Sequence, residues 1–327
     1  MAGELERSRI VEALKLYGAE RIRPFTKRKS SIVAVGDSEI SGEGVGRYTK
    51  GTDGPVNYCH RSAKAAVHRT GISVDRTYNL ACSGASTSNI NTGGTRQYGE
   101  QVQAEQLATK ARNTRVKVVA VLIGSNDELN FGAVMADCVT RRMTFQGPCS
   151  KKYGPGWQDR VDAMVPKVER TVKNLRTVMK HAGYRSDDYK LVVMSYPSPI
   201  GAKGAGRGLG GVASSCMTYA EDGRWAAKTA VPALSAGLRK AARAGGARFL
   251  DLGGLFKGHE SCTGQPWVRG VSVGGSNKAN LVQGSYHPNS AGHAAFARCL
   301  RMFYKTSLKD ARCTAPGKKA KPVLTAR

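Results

Sequence analysis

The chain has 327 residues, 40% of them hydrophobic, which suits one large domain or two small ones and supplies a sizeable core. Lysine and arginine number 51 against 24 acidic residues, a formal net charge of +27 that favours an anionic surface such as phospholipid headgroups or acidic polymers. No run of about 18 apolar residues occurs, which excludes a membrane-spanning helix, and the scattered basic residues carry no helix-turn-helix, finger or RNA-binding signature, so specific nucleic-acid binding is not expected.

Residues 1–30 have no continuous apolar core and do not form a signal peptide as they stand; they read as a charged amphipathic extension ahead of the domain. The apolar run Ile32–Val35 predicts the first strand. It stops at Gly36-Asp37-Ser38 and opens into a loop with glycines at 42, 44 and 46. Turn chemistry alone accounts for Gly-Asp-Ser at a strand end. Residues 59–71 read as a helix ending at Gly71, residues 72–82 as the second strand, 101–112 as a helix and 116–124 as a buried strand. Val161, Met164, Val165, Val168, Val172, Leu175 and Met179 recur at helical spacing and predict a helix over 160–182, in which Pro166 marks either a first-turn position or a kink. A strand over 190–197, a helix over 224–244, a strand over 247–254 and a last helix over 289–304 follow.

Strands and helices alternating at this spacing predict parallel βαβ units and a three-layer α/β/α sandwich. In such sheets ligands gather beyond the carboxyl ends of the strands, which is where Gly36-Asp37-Ser38 falls. Glycine-rich stretches at 201–211 and 270–276 read as surface loops bordering a cleft.

The eight cysteines, at 59, 82, 138, 149, 216, 262, 299 and 313, are even in number and include no C-x-x-C pair. His259 and Cys262 are spaced for half of a zinc site, but no second half matches them. Disulfides between sequence neighbours are therefore expected: 59 with 82, 138 with 149, 216 with 262, and 299 with 313. They imply an oxidising compartment and a secreted protein.

Three more turns resemble the first in position. "NLACSGAS" follows the second strand, "IGSND" the third, and "HPNSAGH" precedes the last helix. A serine hydroxyl needs a base, for which His287 is the candidate. The oxyanion of an acyl-transfer intermediate needs donors, which the Ser38 N–H, the Gly84 N–H and the Asn126 amide would supply. Glycine at 84 lets the backbone approach a substrate closely.

On "GDSEISGEG", "NLACSGAS", "IGSND" and "HPNSAGH", in that order, the chain resembles the SGNH hydrolases, the GDSL lipase/esterase family. With "CHRS" and "FKGHESC" near Trp267 it is similar to the secreted actinobacterial members. The resemblance covers about residues 31–304 and reaches toward Cys313. It implies a flavodoxin-like SGNH hydrolase fold over residues 31–313, followed by a basic tail over 314–327. It also implies Ser38 as nucleophile, His287 as base, and an oxyanion hole of Ser38, Gly84 and Asn126, with no metal or organic cofactor.

Two departures stand out. Many members carry an aspartate three residues before the histidine, where this chain has Gly284, whose carbonyl is the expected substitute for orienting His287. Glu39 follows the serine where an apolar residue is more usual; it would repel anionic substrates or face solvent. Asp37 and Asp127 read as structural. His293 reads as packing or exposed, and Ser83 as a rival nucleophile without its elbow motif. The expected activity is serine-dependent hydrolysis of small-molecule, lipid or acylated-polymer esters by a monomer. A carbohydrate O-deacetylase using the same residues and a catalytically silent polyanion-binding module are the alternatives.

Overall fold

The computed structural model describes residue 11 and residues 25–202, 217–271, 283–317 and 321–327. Strand β1 (Ser30–Gly36) lies between β2 (Arg76–Asn79) and β3 (Arg115–Leu122); β4 (Lys190–Met194), β5 (Arg248–Asp251), β6 (Asp310–Thr314) and β7 (Val323–Ala326) continue the sheet beyond β3. The first six strands run parallel, and β7 pairs antiparallel with β6. β1 is buried along its whole length, and so is the apolar end of β3. Both read as unbroken apolar runs because the sheet is covered on both faces.

Helices α1 (Gln103–Asn113), α3 (Trp157–His181) and α4 (Val231–Ala244) pack together as one covering layer. Helix α5 (Ser290–Tyr304) packs on the 3-10 turn Ala66–Arg69 in the other. The expected three-layer α/β/α sandwich with a mainly parallel sheet is the observed fold.

Several elements differ from expectation. The stretch 59–71 holds only the 3-10 turn Ala66–Arg69. Tertiary contacts override its helix formers: Cys59 is bonded to Cys82, Ser62 N–H donates to the Ser41 carbonyl, and the Arg61 guanidinium reaches the Leu80 and Ala81 carbonyls and Glu100. β2 is shorter than predicted and, among the described residues, pairs only with β1. Pro166 sits in the interior of α3, well past its first turn. The helix predicted over 224–244 is divided into Ala220–Trp225, a π turn Ala226–Ala230, and α4, whose first turn contains Pro232. Pro232 has no N–H to donate to the preceding turn, and the backbone stays helical through the π turn into α4. Helix α2 (Phe131–Met143) was not anticipated. Val323–Ala326 makes the segment read as a basic tail an edge strand of the sheet. The predicted glycine-rich loops lie mostly outside the described residues, as does nearly all of the N-terminal extension.

Disulfides join Cys59 to Cys82, Cys138 to Cys149 and Cys299 to Cys313, as predicted from neighbour pairing. Cys262 is also disulfide-bonded; its predicted partner Cys216 lies outside the described residues. The Cys59–Cys82 bridge closes a loop of sequence separation 23 beside the end of β1. Replacing both cysteines by alanine should cost roughly 2–4 kcal/mol in urea unfolding, and a loss below about 1 kcal/mol would show that this bridge contributes little to folding.

Candidate active site

The site forms where β1, β3 and β4 end. Gly36 closes β1 against its neighbour so tightly that a Cβ there would lie 2.0 Å from the Leu122 carbonyl oxygen. The Gln103 side chain clamps it, accepting from the Gly36 N–H at 2.7 Å and donating to the Gly36 carbonyl at 2.8 Å. Asp37 then caps a single helical turn, Ser38–Ser41, by accepting from the Glu39 N–H at 3.1 Å. Ser38 opens that turn, so its own N–H has no intrahelical acceptor.

The Asp37 carboxyl is fully buried and joins three strand ends. Its Oδ2 accepts from Ser125 Oγ at 2.8 Å, beyond β3, and from the Tyr196 hydroxyl, beyond β4. Burial pushes this carboxyl up to about 7 despite those donors. Asp127 has a similar bracing role: it accepts from the Thr87 N–H and, at 2.6 Å, from Thr87 Oγ1. Asn126 Nδ2 donates to the Ala85 carbonyl at 2.9 Å. The turns at 36–38, 82–87 and 124–127 are thus tied to one another. Asn126 keeps a second amide hydrogen on the same nitrogen. Gly84 holds a left-handed backbone, φ +78°, which a side chain would strain.

The histidine arrives from the far end of the sequence. His287 Nε2 lies 2.8 Å from Ser38 Oγ, and its Nδ1 lies 2.9 Å from the Ser285 carbonyl oxygen. A carbonyl only accepts, so Nδ1 carries the ring proton and Nε2 accepts from the serine hydroxyl. The ring is bonded to the Ser285 carbonyl and also to the Gln283 backbone, not to Gly284, which corrects the expectation. Tyr286, between Ser285 and the ring, has a left-handed backbone, φ 59°, that closes this turn.

The segment is braced from behind by the stretch from "FKGHESC" to Arg269. The His259 ring stacks on Trp267 with centroids 3.9 Å apart, and its Nδ1 faces the Gln265 carbonyl at 2.8 Å. Arg269 N–H donates to the His287 carbonyl at 2.9 Å, and Asn289 N–H to the Trp267 carbonyl at 2.9 Å. His259 and the disulfide-bonded Cys262 are therefore structural, which disposes of the half zinc site. Burial lowers the His287 imidazole below its ordinary value, opposed by the nearby Glu43 carboxylate and the Ser285 carbonyl.

The chain matches the GDSL-like lipase/acylhydrolase family over residues 34–295. It belongs to that family. A lipase of Streptomyces rimosus is 28% identical over 292 residues, covering 87% of this chain and 91% of that protein. Lipase 1 of Streptomyces coelicolor is 28% identical over 267 residues, covering 80% and 82%. Among solved structures, the extracellular lipase of Streptomyces rimosus superposes with a TM-score of 0.56 at 25% identity, over 84% of this chain and 99% of that one. Phospholipase A1 of Streptomyces albidoflavus NA297 gives 0.57 at 26% identity, with the same coverage. This SGNH hydrolase is accordingly a carboxylic ester hydrolase of the lipase/esterase type.

The other candidates lie elsewhere. Ser83 Oγ donates to Glu43 Oε2 at 2.7 Å, so that hydroxyl is already engaged. His293 is fully buried, accepts from the Ala66 N–H at 3.3 Å and is pushed by burial to about 3. Asp251 is held by Arg312, Arg327 and Ser195 at β5 and β6. Glu39 does not simply face solvent: its Oε2 is buried with no hydrogen-bond partner among the described residues, and burial followed by the nearby Asp37 holds it well above the ordinary range. Sequence reading missed Glu43 and His60, which form a buried pair at 2.6 Å beside His287.

Burial of Asp37 makes folding stability depend on pH. The folded carboxyl keeps its proton up to about 7, whereas the unfolded one releases it near 3.8. Asp37 therefore contributes most at low pH, and that contribution falls as pH rises through this window. In urea unfolding, the parent should lose stability relative to Asp37→Asn between about pH 4 and 7. The opposite trend would mean that Asp37 is an anion in the native protein.

Proposed function

We propose that the protein hydrolyses esters through an acyl-enzyme on Ser38, with His287 as base and no carboxylate bonded to the histidine. The observation that carries this reading is the Ser38 Oγ–His287 Nε2 contact of 2.8 Å, backed by the Ser285 carbonyl on Nδ1. Ser38 Oγ attacks the ester carbonyl carbon while its proton passes to Nε2. The carbonyl oxygen becomes an oxyanion received by the Ser38 and Gly84 N–H groups and the free Asn126 amide hydrogen. His287 then returns the proton to the departing alcohol. Water, deprotonated by the same nitrogen, attacks the acyl group and frees Ser38.

The names of the relatives, lipases and a phospholipase A1, support an acyl ester of a lipid as the substrate class. The net charge of +27 supports attraction to anionic lipid surfaces. Disulfides support an oxidising, extracellular place of action.

Ser38→Ala and His287→Ala should each abolish turnover of p-nitrophenyl esters in protein that remains folded. Retention of more than about 1% of parent activity by either would sink the assignment, since loss of such a residue costs several orders of magnitude. Asn126→Ala should lower kcat roughly 10²–10³-fold with a smaller change in KM; an unchanged kcat would remove Asn126 from the oxyanion site. The acid limb of kcat/KM should lie below the ordinary histidine value, because burial disfavours the imidazolium.

A further inference from the structure

The mechanism above leaves one charge unbalanced. A carbonyl fixes the tautomer of His287 but brings no full negative charge to the imidazolium formed when Ser38 is deprotonated. Position 284, three residues before the base, is glycine and supplies no carboxylate.

A buried carboxylate nonetheless stands in that space. Glu43, in the loop after the Ser38–Ser41 turn, is only 1% exposed. Its Oε2 faces His60 Nδ1 at 2.6 Å and accepts from Ser83 Oγ at 2.7 Å. Its Oε1 accepts from the Tyr48 hydroxyl at 3.2 Å and the Gly44 N–H at 3.3 Å. Buried carboxylates are costly unless so satisfied. The same loop touches the base: a Cβ on Gly44 would lie 3.0 Å from His287 Cβ. Most tellingly, a Cβ on Gly284 would lie 3.6 Å from Glu43 Oε1. A carboxylate attached at 284 would thus enter the space that Glu43 reaches from another loop.

We propose that Glu43 is a positioning residue for the base, supplying from the loop after Ser38 the negative charge that the residue before His287 does not. The inference rests on the Ser38–His287 reading. Burial alone would raise the Glu43 carboxyl, but the His60 hydrogen bond and the charges of His287 and His60, with Ser83, hold it below the ordinary carboxylate value. It remains an anion across the working range. Other groups face the pair. His60 has carboxylates at both ring nitrogens, Glu43 at 2.6 Å and Asp53 at 3.3 Å. Tyr48 is held well above its ordinary value by burial and by Glu43, and is neutral. His293, behind the base, is neutral. The Arg269 guanidinium lies 3.7 Å from the Cβ position of residue 284, and His60 opposes Glu43 in its effect on the base.

The test is a two-site cycle on p-nitrophenyl ester hydrolysis across pH, using Glu43→Gln, Gly284→Asp, both together, and the Ser38→Ala and His287→Ala controls. Glu43→Gln should lower kcat about tenfold with KM within about twofold, and move the acid limb down by about half to one pH unit. Gly284→Asp alone should gain less than about twofold. Added to Glu43→Gln it should recover at least about threefold in kcat and return the limb toward the parent. A Glu43→Gln enzyme with parent kcat and limb would overturn the proposal. So would lost activity with neither a moved limb nor recovery in the double variant, which is the signature of a merely structural residue. If Glu43→Gln does not fold by circular dichroism, Gly284→Asp alone decides: a gain of about tenfold or more would show that no charge compensates the imidazolium in the parent. Activity surviving in Ser38→Ala or His287→Ala would instead indict the underlying dyad reading.

Discussion

The buried carboxyl of Asp37 joins the ends of three adjacent strands, and the placement of Ser38 depends on it. Oδ2 takes Ser125 and Tyr196, Oδ1 takes the Glu39 N–H, and each donor leaves a different loop beyond the sheet. Strand pairing alone would bring these loops near one another, but it would not fix where a side chain one residue past the strand points. The crowding at Gly36, with no room for a Cβ against the Leu122 carbonyl, sets the exit direction of β1. Asp37 then starts the helical turn that presents the Ser38 hydroxyl and amide on one side.

Residues 37–43 hold three carboxyl groups whose environments drive them apart. Burial pushes Asp37 to about 7 and Glu39 well above the ordinary range. Glu43, equally deep, is surrounded by donors and by two imidazoles and is held down as an anion. Negative charge is therefore concentrated on the side of the loop that faces His287 and reduced beside Ser38 itself. This arrangement suits a reaction in which positive charge develops on the histidine and negative charge on the substrate oxygen. His287 is held in place independently of that loop. The His259–Trp267 stack and the backbone bonds from Arg269 and to Trp267 hold residues 286–289 from behind.

Much of this was legible in the sequence because the informative residues lie at element ends. Apolar runs announced β1 and β3, the 3.6-residue spacing announced α3, and Ser38, Gly84, Asn126 and His287 each followed or preceded such a run. Neighbour pairing of cysteines worked because each bridge that is described closes a short connection. What failed has physical causes. Residues 59–71 look helical but are pinned by the Cys59 bridge and by Arg61, contacts that no local pattern reveals. β6 and β7, the latter at the sheet edge, are short and of mixed polarity, so neither apolar length nor alternation marks them. The Glu43–His60 pair joins residues 17 apart across a loop, and nothing in its spacing signals contact. Gly284 and Ser285 differ by a single residue around the left-handed Tyr286, which only backbone geometry resolves.

Whether Ser38, His287 and the three donors act on one acyl carbon can be seen in a crystal structure of the protein after reaction with an alkyl fluorophosphonate, because the tetrahedral phosphonyl adduct mimics the acyl-transfer intermediate. Phosphorus should be bonded to Ser38 Oγ, with one phosphoryl oxygen within hydrogen-bond distance of the Ser38 and Gly84 nitrogens and Asn126 Nδ2, and His287 Nε2 facing the ester oxygens. Phosphorus on Ser83 or any other residue, or an adduct on Ser38 whose oxygen points away from Gly84 and Asn126, would contradict it.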